Sequence, residues 1–368
     1  MIPSGPIPYG RQTIEEDDIQ AVVDVLRGDY LTTGPAVARF ESAVADYVGA
    51  RHAVAFSNAT AGLHGCTAAA GLGAGDVVAT SSLTFVASAN CARYVGASVE
   101  LIDIDPTTLN LDVEAVPQNI DALVAVHFAG LPVDLDRLAH RPRIIIEDAA
   151  QALGAWTPDG PVGNCARSDM TSFSFHPVKP VTTGEGGVVT TNDDELAERL
   201  RRFRSHGTRP APDKGGWYYE VIDQGFNYRL TDIQAALGAS QMTKIDRFIG
   251  RRQELAARYD ELLAPLPLTG APKARCGSGH GYHLYTIQID QRRAVYDELR
   301  NRGIFTQVHY VPVHHHPHYA DLEVSLPVTD QVYERILTLP LFPALTNEQQ
   351  DQVVEQLTDV IAQLGIVN

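Results

Sequence analysis

What this 368-residue chain lacks already narrows what it can be. It has four cysteines, Cys66, Cys91, Cys165 and Cys276, widely separated and with no CxxC pair. That excludes a disulfide framework and a cysteine-based zinc site. No apolar run approaches the ~20 residues needed to cross a bilayer, so no membrane association is expected. The opening MIPSGPIPYG has no basic stretch leading into an apolar one, the pattern of a secretory signal. A cytoplasmic protein with reduced thiols is expected. Positive charge is also in short supply. With 29 Lys and Arg against 45 Asp and Glu, the formal net charge is −16, which argues against general affinity for nucleic acid or anionic lipid. An anionic ligand must then be held by backbone N–H groups, helix N-termini and a few placed side chains. Internal repeats and low-complexity tracts are absent.

What is present reads as an α/β protein. Hydrophobic residues make up 44% and charged residues 20%, enough for a buried core, and the length suits roughly two domains at ~150 residues each. Thr13 and Glu16 have capping-box spacing, and Ile19, Val22, Val23 and Leu26 follow at helical spacing up to Gly28. From residue 50 onward, short apolar runs alternate with helical stretches. His52–Phe56, Asp76–Thr80, Val99–Asp103, Ala122–His127, Arg143–Glu147, Thr171–Phe175 and Gly187–Thr191 read as strands. Thr60–Ala70 and Ser88–Val95 read as helices between them. Near-continuous apolar strands separated by helices indicate a mostly parallel sheet covered on both faces. This large domain is expected over residues 1–245. A Pro- and Gly-rich stretch from Ala264 to Gly281 marks a change of character. A smaller α+β domain is expected over 246–368, with Thr243–Leu263 as connecting helix. It includes strands at His283–Ile289 and Ile336–Leu339, a helix at Arg292–Arg302, and a last helix capped by Thr346 and Gln349.

Three segments carry the chemistry. In IIIEDAAQ an acid ends a buried strand, and ligands of parallel sheets sit at the carboxyl ends of strands, so Asp148 should face a site. In SFSFHPVKPVTTGEGG one lysine, Lys179, lies between an aromatic strand and a glycine-rich turn. In FSNATAGL a strand turns into a helix through small and hydroxyl residues, leaving helix N-terminal N–H groups for an anion. Singly, each has an ordinary reading: a turn acid, a solvated lysine, an N-cap. Neither glycine segment has the GxGxxG or GK[ST] order of a nucleotide fingerprint. Together they are the parts that pyridoxal 5'-phosphate requires.

With EDAAQALGA, SFSFHPVKPVTTGEGG and GFNYRLTDIQAALG in that order, the chain resembles the DegT/DnrJ/EryC/StrS sugar-nucleotide aminotransferases, of the fold-type I architecture of pyridoxal-phosphate enzymes. The resemblance runs from IPYGRQ through LTTGP to LPLFPALT. Through FVASANCARYVGA, SFHPVKPVTTGEGG, WYYE and TQVHYVPVHHHPHY it most resembles, within that family, the enzymes of the pseudaminic acid pathway, which aminate C4 of a UDP-linked 4-keto-6-deoxy-2-acetamido sugar. The resemblance implies Lys179 as the Schiff-base lysine and acid/base, Asp148 on the pyridine nitrogen, Gln151 on the ring hydroxyl and Phe85 on the ring face. Thr60 and Ala61 would give backbone N–H groups to the phosphate, Ser174 its hydroxyl, and Asn227 would reach it from a second subunit. A homodimer with shared active sites is thereby implied, with a nucleotide sugar and L-glutamate as substrates. His309, Tyr310 and His314 would line the substrate side, and His176 could touch substrate or merely pack. The family's anion turn usually has glycine where Ala59 stands, so here the turn must stay at negative φ.

The run HYVPVHHHPHY invites a metal reading. No second acid–histidine cluster stands at ligand spacing, so no metal is expected, and His315, His316 and His318 read as solvated. A sugar 3-dehydratase of the same family would replace the lysine by histidine; Lys179 argues against it. Amination at C3, or of a perosamine or legionaminic acid precursor, stays open. A regulatory nucleic-acid-binding protein would need a basic face, and a non-catalytic relative would be expected to have lost Lys179 or Asp148.

Overall fold

Five-residue apolar runs between glycines and small-residue helices build the main sheet. The computed structural model describes residues 5–274 and 277–367. Cys276 lies outside the described residues, while Cys66, Cys91 and Cys165 are buried free thiols. Seven strands form the sheet: β1 His52–Phe56, β2 Val77–Ser81, β3 Ser98–Ile102, β4 Ala122–Val126, β5 Ile144–Asp148, β6 Met170–Ser174 and β7 Gly187–Thr191. Their spatial order is β1-β7-β6-β5-β4-β2-β3. Strands β2 to β6 pair in parallel; β7 alone runs antiparallel to both of its neighbours. Every residue of β4 is buried, which a sheet sandwiched between helices requires.

Alternate side chains serve opposite faces. Ala55, Phe173 and Val188 meet α2 (Pro35–Val48) and α6 (Asp232–Met242) through Phe40, Val44 and Ala235. Phe56, Met170 and Val189 meet α3 (Ala59–Ala69), α4 (Ala87–Tyr94) and α5 (Asp194–Phe203) through Leu63, Cys91 and Leu200. After α5, a short hairpin of β8 (Thr208–Pro210) and β9 (Tyr219–Val221) carries Trp217, Tyr219 and Val221 exposed to solvent.

A second core gathers around α7 (Ile245–Leu263), the antiparallel pair β10 (Tyr285–Gln288) and β11 (Ile336–Leu339), α8 (Arg292–Asn301) and α10 (Asn347–Leu364). The Thr346–Gln349 capping box forms as the spacing indicates. Val353, Leu357 and Ile361 are buried, with Val354 and Leu364 half-buried. Ile7 joins this core through a bridge to Ile304, so the N-terminal segment packs on the second layer. A smaller cluster of Leu83, Phe128, Leu284, Val332 and Ile336 joins the two, Val332 coming from α9 (Pro327–Arg335).

Two sequence expectations change. Helix α1 spans Glu16–Arg27, and its capping box is made by Glu15 and Asp18, not Thr13 and Glu16. Asp18 is held by Ser240, Gln241 and Lys244, and Thr13 instead lends its carbonyl to Gln241. Tertiary contact thus fixes the start of the helix. Its apolar stripe is only partly covered: Ile19 and Leu26 are exposed, Val22 and Val23 half-buried, and Asp18 is its one buried residue. The expected helix Thr243–Leu263 begins at Ile245, because Thr243 and Lys244 close the end of α6 onto Ser240 and Gln241 carbonyls. Lys244, buried there, reaches Asp17 at 2.6 Å and Asp18 at 2.8 Å.

Candidate active site

The carboxyl ends of the parallel strands and one edge of the second core enclose a cavity of about 610 Å³. After β1 the chain turns into α3 through Asn58, whose extended backbone (φ −166°) and side chain make a standard N-cap. Asn58 Oδ1 accepts the Ala61 N–H at 2.8 Å and its carbonyl accepts Gly62 N–H at 3.1 Å. Among the described residues, the N–H groups of Ala59 and Thr60 are left without a partner, as the first donors of a helix are. Gly187 makes this turn possible. A Cβ there would sit 2.5 Å from the Asn58 carbonyl carbon and oxygen and 2.6 Å from Ala59 N.

At the end of β5 the pleat separates two acids. Glu147 points away from the cavity and accepts from His127 Nε2 at 2.8 Å; His127 Nδ1 accepts Val133 N–H, which fixes that tautomer. Asp148 points the other way, into the cavity, with Oδ2 accepting Ser88 Oγ–H at 2.6 Å and Oδ1 accepting Ala150 N–H at 3.1 Å. Gln151 is fixed at both ends: Oε1 accepts Ala129 N–H at 2.6 Å and Nε2 donates to the Tyr310 hydroxyl at 2.7 Å. Phe85, 56% exposed, lies at the mouth with its ring 6.1 Å from that of Tyr310.

Beyond β6 a tight turn, closed by Lys179 N–H on the His176 carbonyl, returns Lys179 to the cavity. Its amine stands 3.3 Å from Nε2 of the buried His283. Burial lowers the amine's pKa to about 8, the Asp148 carboxylate opposing and the Arg252 guanidinium reinforcing the shift. His309 is buried with Nδ1 2.8 Å from Thr338 Oγ1; burial and then the Lys179 charge push its pKa down to about 3. It is a neutral imidazole at neutral pH.

The structure therefore brings Thr60, Phe85, Asp148, Gln151 and Ser174 to one cavity, together with Lys179, His309 and Tyr310. His176 lines it too, with its side chain exposed. Three expected residues stand apart. The N–H of Ala61 is consumed by the cap. Asn227 is exposed and does not line the cavity of its own chain. His314 packs outside, between Ser82 Oγ at 2.7 Å and Asp330 Oδ1 at 3.0 Å. His315 meets the same Asp330 oxygen at 2.8 Å, so it is partnered rather than merely solvated. The ligand atoms of His314, His315 and Asp330 cluster within 4.8 Å, and hydrogen bonds to one carboxylate oxygen account for that cluster.

Tyr9, Asn58, Glu185 and His283 are further polar residues of the lining, beyond those the sequence points to. Asn58 carried a signal, being an N-cap residue type at a strand–helix junction. His283 carried none, since 104 residues separate it from Lys179. Among the described lining residues, Lys179 is the one Lys or Arg, facing the acids Asp148 and Glu185. No helix among the described residues is long and apolar enough to cross a membrane.

A family model described as the DegT/DnrJ/EryC1/StrS aminotransferase family matches residues 12–358. The chain is 36% identical to the spore coat polysaccharide biosynthesis protein SpsC of Bacillus subtilis, over 96% of this chain and 97% of that protein. It superposes on Helicobacter pylori PseC, an aminotransferase involved in the biosynthesis of pseudoaminic acid, with a TM-score of 0.89 and 28% identity, covering 97% of this chain and 100% of PseC. The PLP-form of Spr1654 from Streptococcus pneumoniae gives a TM-score of 0.90 at 28% identity, covering 98% of this chain and 99% of that one.

Proposed function

From the premise that the chain belongs to the DegT/DnrJ/EryC1/StrS aminotransferase family, and is thus a pyridoxal-phosphate-dependent sugar aminotransferase, we propose that it aminates a nucleotide-linked 4-keto-6-deoxy sugar. UDP-2-acetamido-2,6-dideoxy-4-hexulose is the substrate of this reading, L-glutamate the amino donor and a 4-amino sugar nucleotide the product. The observation that carries it is the convergence of a half-buried lysine, a buried carboxylate and unpartnered helix N–H groups on one cavity. The likeness to PseC supports the choice of sugar, and the likeness to SpsC a place in polysaccharide biosynthesis.

The residues present fit the cofactor. Ala59 and Thr60 N–H groups, with Ser174 Oγ beside them in the lining, would hold the phosphate; Ala59 takes the place expected of Ala61. Asp148 would keep a proton on the pyridine nitrogen, its remaining acceptor capacity facing the cavity. The second N–H of Gln151 would meet the ring oxygen, and Phe85 would cover the ring face. When bound, pyridoxal phosphate supplies an electron-poor ring that lets a proton leave the carbon bearing the amino group. Lys179 would hold the cofactor, and its free amine would be suited to carry that proton: with a pKa of about 8 it can take and return one near neutral pH. His309 and Tyr310 close the substrate side with neutral, hydrogen-bonding surface.

We further propose a homodimer. A cavity with a single cation is poorly equipped for a nucleotide diphosphate, and Asn227 lies exposed outside its own cavity. The exposed apolar residues Ile19, Leu26, Tyr30 and Leu31, and the aromatic hairpin tip at Trp217, offer the apolar surface a second copy would cover. The test is the absorbance of the purified protein: a band near ~420 nm that moves toward ~330 nm on adding L-glutamate supports the reading. No band after incubation with pyridoxal phosphate removes Lys179 from its role.

A further inference from the structure

The residue that faces Lys179 most closely is one that no catalytic expectation named. His283 Nε2 lies 3.3 Å from Lys179 Nζ. The imidazole is buried, and its Nδ1 has no partner among the described residues. Burial, then the charges of Lys179 and Arg252 and the neighbouring His309 and His176, hold His283 well below the usual histidine range. It is therefore neutral and carries one N–H. An ammonium only donates, so Nε2 must accept and the proton must sit on Nδ1.

The backbone that carries the imidazole is also held from behind. Arg252, fully buried, donates to the carbonyls of Tyr282 at 3.3 Å, His283 at 3.2 Å and Leu341 at 3.0 Å. On the other side, Gly130 (φ +97°) lets the loop after β4 close onto this segment: a Cβ there would stand 3.1 and 3.2 Å from the nitrogens of Tyr282 and His283. The adjacent residue, Ala129, accepts Leu284 N–H and gives its own N–H to Gln151. One loop thus sets the positions of both Gln151 and His283.

We propose that His283 is a positioning residue for Lys179: its neutral Nε2 accepts a hydrogen bond from the lysine amine and holds that amine against the cavity wall whenever it is not joined to the cofactor. The proposal rests on Lys179 being the cofactor's lysine. Such a bond stabilises the ammonium and partly offsets its desolvation. Asp148 and Arg252 act on the amine directly, and the other titratable groups lining the same cavity are Glu185, His176, His309, Tyr9 and Tyr310. Without the acceptor, the amine loses its proton at lower pH and is no longer fixed.

The test titrates Lys179 in the full-length protein freed of cofactor, by competitive acetylation at a series of pH values with peptide mass readout. In the unaltered chain the midpoint is expected near 8. His283→Phe should lower it by about one unit, a tenfold smaller protonated fraction at a given pH above the midpoint. His283→Gln, whose side-chain oxygen can accept in the same place, should leave it within ~0.3 unit of the unaltered chain, on the same scale. An unmoved midpoint in His283→Phe, or equal shifts in both variants with their circular dichroism unchanged, overturns the proposal. If the Phe variant does not fold, His283→Asn, too short to reach, takes its place and must shift where Gln does not. The parent reading fails separately: it falls if the unaltered protein shows no cofactor band, whatever the variants do.

Discussion

Replacing Gly187 by alanine tests the anion cradle at its tightest point. The new methyl would stand 2.5 Å from two backbone atoms of Asn58 and 2.6 Å from Ala59 N. Ordinary contact begins at 3.4 Å, so the turn must retreat by about 0.9 Å, and it is backbone that must move, not a flexible side-chain end. Gly187 sits in register between Phe56 and Ser174, so strand β7 cannot slide away without breaking two ladders. Overpacking of this kind costs ~1–3 kcal/mol of stability. It also displaces the Ala59 and Thr60 N–H groups by nearly an ångström, a misplacement that can cost ~10²-fold at a functional site. We expect Gly187→Ala to weaken pyridoxal-phosphate binding by ~10- to 100-fold, measured by titrating the cofactor-free protein and following absorbance. Its melting temperature without cofactor should also fall. Cofactor affinity within threefold of the unaltered protein, together with an unchanged melt, would refute the argument that this turn is the cradle.

Lys179→Ala should abolish transamination yet still bind cofactor, because the α3 N–H groups and Asp148 remain; turnover in that variant, assayed with L-glutamate and a keto-sugar nucleotide, would contradict the assignment. Asp148→Asn should lower the rate by several orders of magnitude, since an amide cannot keep the ring nitrogen protonated; a near-normal rate would place the aspartate elsewhere. His280 is buried with its pKa pushed down to about 3, chiefly by burial. Its folded value lies below its unfolded one, so its contribution is complete above pH ~6.5 and is lost as pH falls from there toward 3. His280→Asn, which can keep the bond to Tyr282 N–H made by Nδ1, should remove about 1.4 kcal/mol of the stability loss between pH 7.5 and 5.5. Urea melts at the two pH values measure it, and an unchanged pH dependence would show that His280 is not buried neutral.

Much of this architecture is legible in local chemistry. β1 and β7 start and stop where the sequence indicates, because small and polar residues flank compact apolar runs. Asp148 is legible because an acid at the end of a fully apolar strand has few places to go but a ligand site. The start of α1 is not: Thr13 and Glu16 have the local spacing of a capping box, yet contacts of Asp18 with Ser240, Gln241 and Lys244 place the box at Glu15 and Asp18. The motif leaves the Ala61 N–H open to an anion, but in the fold Asn58 Oδ1 accepts it. His314 shares its motif with His309 and Tyr310, yet the short turn at Val313–His315 swings it toward Asp330 and out of the cavity. His283 is invisible to any local pattern, since only the packing of the second core on the sheet brings it to Lys179.

The central claim is that Lys179 carries the cofactor, and reductive trapping tests it most directly. Borohydride treatment of the protein loaded with pyridoxal phosphate turns a lysine–cofactor imine into a stable secondary amine, which peptide mass mapping then locates. The account predicts the added mass on the peptide containing Lys179. Mass on Lys214, Lys244 or Lys273, or on no lysine at all, would contradict it.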